Sequence, residues 1–156
     1  MFKKRTFVIF AFLFVIMLLI SYAIMERIKT NSPMNMYPTE HSIDTIDEIR
    51  METTDRVYSA GVETIVVRLV SEVELGYGMS FELEYYQNDA WYTLEMKDTS
   101  FISLAGIVAA NLPCDIEYHI KDHYSTPLIA GQYRIVQEFS SVEFGVSYCA
   151  AYFVIR

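Results

Sequence analysis

Met79-Ser80-Phe81-Glu82-Leu83-Glu84-Tyr85-Tyr86 alternates apolar and polar side chains from residue 80 to residue 85. Period two belongs to a strand with one dry face, not to a helix. The alternation sends Phe81, Leu83 and Tyr85 toward a core and Ser80, Glu82 and Glu84 toward water. Gln87-Asn88-Asp89-Ala90 then supplies turn chemistry, and Trp91 to Met96 returns as the hairpin partner. This hairpin sets the reading of the rest of the chain.

Gly76-Tyr77-Gly78 breaks the chain before the hairpin, and Gly76-x-Gly78 opens a strand with no third glycine, so it is a turn or bulge and not a phosphate cradle. Thr64 to Val70 puts Ile65, Val67 and Leu69 on one face and Arg68 on the other. Ile49, Met51 and Thr53 form a first edge strand. Downstream, Phe101 to Asn111 reads equally as strand, short helix or packed crossover. Cys114 to Ile120 turns Ile116, Tyr118 and Ile120 inward and Asp115, Glu117 and His119 outward. Lys121 to Ala130 is a loop containing Pro127, and Gly131 to Phe139 and Tyr148 to Ile155 are further strands. The count is about seven short strands whose single buried faces require two sheets packed face to face. The expected fold is all-β, an antiparallel β-sandwich over residues 46–156.

The N-terminus is of another kind. Phe7 to Met25 carries no charged side chain. As a helix its nineteen residues rise roughly 28 Å, close to a bilayer's hydrocarbon thickness. Lys3, Lys4 and Arg5 in the basic segment 1–6 hold the N-terminus in the cytoplasm and send the C-terminal part across. The expectation is one transmembrane signal anchor, residues 7–25, in the cell membrane with an extracytoplasmic domain. Cleavage after Ala23, where Ser21-Tyr22-Ala23 has small-x-small form, is the alternative. Residues 26–45 hold Pro33 and Pro38 without periodicity and read as a polar tether reaching roughly 25 Å.

Charge narrows the partners. The 156-residue chain carries −8 overall; setting aside Lys3, Lys4 and Arg5 leaves nine basic residues against twenty acids, near −11 outside the membrane. Such a surface repels phosphate backbones, so no nucleic acid is expected. The two cysteines, Cys114 and Cys149, have no zinc spacing. A disulfide between them and a pair of buried free thiols both remain open.

One run is more specific than strand patterning. Gly131-Gln132-Tyr133-Arg134 places a Tyr two residues after a Gly at the start of a late strand, the spacing of a tyrosine corner. With Gly76-Tyr77-Gly78, Phe81-Glu82-Leu83-Glu84, Trp91 and Phe153-Val154-Ile155, the region resembles bacterial immunoglobulin-like domains of small membrane-anchored envelope proteins. The resemblance implies structural roles for Tyr133, Gly131, Trp91, Gly76 and Gly78, and a spacer or binding module without catalysis. The chain departs from the antibody pattern in two respects: its one Trp follows the hairpin turn, and its cysteines do not sit where an inter-sheet bridge would.

No catalytic motif, metal site or cofactor emerges. His119 and His123 with Asp115, Glu117 and Asp122 are the one cluster of ligand types, without an identifiable third ligand, and read as a solvated strand face. The functional expectation is a non-catalytic binding or structural role in the cell envelope, with an envelope or extracellular protein as partner. Tyr86 and Tyr92 are the candidate contact surface, since interfaces favour Tyr. A protease inhibitor presenting the loop Lys121 to Ala130 is the alternative, and a metal-dependent accessory to an envelope enzyme a second.

Overall fold

The computed structural model describes Met17, residues 34–97 and residues 105–156. The expected anchor, the basic segment before it and the tether up to residue 33 lie outside the described residues, apart from Met17. So do residues 98–104. Among the described residues no helix is long and apolar enough to cross a membrane. Met36–Arg156 forms one compact unit, separate from Met1–Asn35.

Within that unit two sheets carry eleven strands among the described residues. The smaller sheet is β2 (Ile49–Thr53), β4 (Thr64–Ser71) and β9 (Cys114–His119), with β4 in the middle. The larger runs in the order β1 (Met36–Pro38), β7 (Ala90–Leu94), β6 (Glu82–Gln87), β10 (Gly131–Ser141), β11 (Gly145–Ile155) and β3 (Val57–Tyr58). All its neighbours are antiparallel except β3, which runs parallel to β11. A short β5 (Leu75–Gly78) pairs with the far end of β10 and carries β8 (Ala105–Val108) on its other side. Of the ambiguous stretch, the described part is therefore a strand followed by a turn.

The β6–β7 hairpin shows how local sequence builds this fold. Asn88 and Asp89 both take positive φ, 52° and 60°. That is the two-residue turn whose twist matches a β-ribbon, and Asn and Asp tolerate it better than other side chains. Its register sets Tyr86 against Trp91 and Glu84 against Thr93.

Between the sheets, Ile65, Val67 and Leu69 of β4 face Leu83, Ile135 and Phe139, all fully buried. Phe81 meets Tyr118 of the other sheet edge-on, with ring centres 4.8 Å apart. Gln137 is buried in this core for a reason visible in the topology. β5 and β6 share one edge of β10 but leave a gap between them, and the Gln137 amide fills it by donating to Gly78 O at 3.2 Å and Ser80 O at 3.0 Å. Its own oxygen accepts from the Tyr118 hydroxyl at 3.3 Å, tying one sheet to the other. A side chain here replaces the missing backbone ladder.

Several expectations change. Gly76-Tyr77-Gly78 is not a break; it lies within β5. Gly76 suits the close approach of the Ser140 hydroxyl, 3.0 Å from where a Cβ would stand. The tether does not extend to residue 45, because residues 36–44 are part of the domain. The loop from Lys121 to Ala130 is not free. It opens with one helical turn, α1 (Ile120–His123), and buries Tyr124 and Leu128. Tyr124 reaches the core, where its hydroxyl accepts from Leu83 N–H at 2.9 Å and donates to Phe81 O at 3.1 Å. Burial drives its pKa well above the ordinary tyrosine range.

Candidate functional site

The outer face of the larger sheet, expected to be a solvated strand face, holds a buried ion pair. Glu84 is fully buried and not turned to water; its Oε2 accepts from Arg134 Nε at 2.6 Å. The two residues are cross-strand partners on β6 and β10, so sheet register brings them together. The other carboxylate oxygen accepts from Thr39 Oγ1 at 2.5 Å. Removing two charges from water is tolerable only when the pair is close and the remaining lone pairs are met. Both conditions hold. The neighbouring Thr93 hydroxyl, also buried, is the one buried side-chain polar atom among the described residues without a hydrogen-bond partner.

Two structures cover this pair. On one side stands an aromatic cluster. Trp91 lies over Arg134, its ring centre 4.3 Å from the guanidinium carbon, a cation–π contact that keeps the charge dry. Tyr86 and Tyr152 flank the indole at 5.0 Å and 5.7 Å between ring centres. On the other side runs an N-terminal strap. Met36–Pro38 pairs with the β7 edge, Thr39 reaches Glu84, and His41 Nε2 approaches Glu82 Oε1 at 3.3 Å. His41 stacks on Tyr148 at 4.0 Å, and Asp44 closes the strap by accepting from Tyr148 N–H at 2.9 Å through Oδ2. Burial, opposed by His41 and reinforced by Glu84, raises the pKa of Glu82.

Beside the aromatic cluster lies an open cleft of about 280 Å³ bounded by Trp91, Tyr152, Arg56, Gln132 and Val154. Arg56 is held there by backbone, since its carbonyl accepts from Val154 N–H at 2.9 Å. No carboxylate lines the cleft, although Asp55 and Asp89 are close in sequence. The arrangement offers ring faces and hydrogen-bond donors, with no nucleophile paired to a base.

The Tyr133 hydroxyl donates to Ile129 O at 2.8 Å, four residues upstream. Gly131 lies beneath the Tyr85 ring, with which any Cβ at that position would overlap, and takes φ 153°. Trp91 is on the outer face, not in the core. Tyr86 and Tyr92 do not form one surface. The hairpin register pairs Tyr86 with Trp91 and Tyr92 with Tyr85, so they belong to opposite faces. Gly78 lies at the exposed end of β5. Cys114 and Cys149 are free thiols in separate sheets. Burial, with Asp44 nearby, pushes Cys149 up to about 11, which makes it an unreactive thiol. His119 sits 3.1 Å from the Thr64 hydroxyl through Nδ1, and His123 packs against the Phe81 ring. Among the described residues no three His, Cys, Asp or Glu gather as a metal site.

Sequence reasoning did not find Arg56, Glu84, Arg134, Thr39 or Tyr152 as site residues. Glu84 and Arg134 carried no local signal, because which strands flank β6 and β10 is set by the topology and not by the residues of either strand.

Two sheets, antiparallel but for β3, packed face to face, with a tyrosine hydroxyl closing onto backbone four residues before it, define an immunoglobulin-like sandwich. Residues 45–151 match the family model described as bacterial Ig-like domain, and the chain belongs to that family. Domains of this kind are binding or structural modules. No curated protein and no solved structure matches the chain.

Proposed function

We propose that this protein is a membrane-anchored Ig-like module with a non-catalytic binding role in the cell envelope, its domain displayed outside the cytoplasmic membrane. The observation that carries the binding reading is the cleft beside Trp91 and Tyr152, where a half-buried indole, an exposed tyrosine ring and an arginine meet on a rigid sheet. Binding sites favour a few well-placed polar groups among aromatic walls. The uncharged run from Phe7 to Met25 and the basic residues before it support the anchor and its orientation. The protease-inhibitor alternative loses ground, because the loop it would use is tied down through Tyr124 and Leu128.

The test is protease shaving of intact spheroplasts that carry the full chain with a C-terminal tag, followed by mass spectrometry of the protein recovered from untreated membranes. Loss of the tag on shaving and a bait of full mass are expected. A protected tag would overturn the orientation. A soluble bait beginning at Ile24 would replace the anchor with a cleaved leader.

A further inference from the structure

The geometry points to an acidic saccharide as the ligand of the Trp91–Tyr152–Arg56 cleft, its ring lying on the aromatic faces and its carboxylate on the Arg56 guanidinium. This rests on the reading of the domain as an envelope binding module and names its ligand class.

The chain outside the membrane run is strongly acidic, yet the cleft walls contain no carboxylate and do contain an arginine. Among the described residues Arg68, Lys121 and Arg134 are each paired with an acid; Arg50, Arg56, Lys97 and Arg156 are not, and of these four only Arg56 lines the cleft. An unpaired guanidinium presents a planar fork of donors that matches a carboxylate with two parallel hydrogen bonds. Gln132, exposed on the same face, adds an amide that both donates and accepts.

Shape then separates a sugar from a peptide. An extended peptide gains most of its affinity by adding a strand to a free sheet edge. Here the cleft sits where Gln132 pairs with Val154, and Val154 also pairs with Val57, so β11 is flanked on both sides. The free outer edge beside the cleft belongs to β3, whose two residues are too short to seat an added strand, so recognition comes from ring faces and side-chain donors. Tyr152 is 53% exposed. Flat aromatic faces carrying partial negative charge suit the slightly positive C–H face of a pyranose ring.

The protein contains a single tryptophan, so its fluorescence reports on this cleft alone. The full chain, solubilised in a zwitterionic detergent without a sugar headgroup, would be titrated with a short oligouronide. A neutral oligosaccharide of equal length, inorganic phosphate and an acidic peptide would be titrated in parallel. A saturable change is expected with the oligouronide alone. Arg56→Gln should weaken it about tenfold, the loss of one charge-assisted pair. Tyr152→Ala should weaken it too, with the far-UV dichroism of both variants unchanged. Absence of a saturable oligouronide response would sink the proposal, as would an equal response from Arg56→Gln. A matching response to phosphate or peptide would show that the site reads charge without the ring, which also overturns it. These outcomes are separate from the spheroplast result: a displayed domain with a silent tryptophan refutes the saccharide and leaves the binding module. A tag protected from protease with a responsive tryptophan refutes only the display.

Discussion

Glu84 concentrates the energetic risk of the molecule in one side chain. Its carboxylate is stabilised by Arg134 and Thr39 and has no access to water. Removing one member of a buried pair strands the other, so Glu84→Ala should lose about 3–5 kcal/mol in urea unfolding. Glu84→Leu combined with Arg134→Met should regain most of that loss, because an apolar pair has no charge to desolvate. A double variant as unstable as the single one would show that the pair does more than satisfy itself. Tyr124 makes a comparable case with neutral groups. Tyr124→Phe leaves the Leu83 N–H and the Phe81 carbonyl without their shared hydroxyl in the core. The expected loss is about 1–3 kcal/mol by the same measurement, the desolvation of an unmet buried donor.

At the level of elements, the strap from Met36 to Asp44 decides how the larger sheet is covered. Thr39→Val should expose the strap to limited proteolysis at a protease dose that leaves the parent domain intact, because it removes the donor to Glu84 that draws the strap inward. Equal digestion of parent and variant would mean that β1, His41 and Asp44 hold the strap without Thr39. The strap also has a pH signature. Glu82 has a folded pKa raised by burial, so the native state takes up its proton more readily than the unfolded chain. Its ionisation therefore works against folding at neutral pH. That penalty is relieved as pH falls through the raised pKa, and fully so below the ordinary carboxylate value. The stability difference between the parent and Glu82→Gln should shift in the parent's favour as pH falls through that window. A difference independent of pH would contradict the assignment.

For the whole molecule, the two sheets share one core and are cross-linked by the Tyr118–Gln137 hydrogen bond, while β2 touches the larger sheet through Thr53 Oγ1 to Tyr152 O at 3.1 Å. Neither sheet can keep its buried face without the other. Unfolding followed by Trp91 fluorescence, on the outer face, should therefore coincide with unfolding followed by far-UV dichroism, as in a two-state domain. A fluorescence transition at lower urea would reveal that the strap and aromatic cluster melt ahead of the sandwich.

Alternation by itself determined the inner faces. Phe81, Leu83, Ile65, Val67, Leu69, Tyr118 and Ile135 are where period two puts them, because a strand with one wet side has to segregate its side chains. The Asn88–Asp89 turn was equally local, since those side chains tolerate positive φ. The outer face of the larger sheet was not legible in this way. Glu84 reads as a water-facing residue in any window of its own strand. Only the tertiary structure sets Arg134 across from it and lays a strap of distant sequence over it. Arg56 and Trp91 likewise reach one cleft only through the parallel pairing of β3 with β11 and the lean of the indole over β10. Local sequence fixes which way a side chain points along its strand; which partner stands there, and whether water does, depends on contacts between segments far apart in the chain.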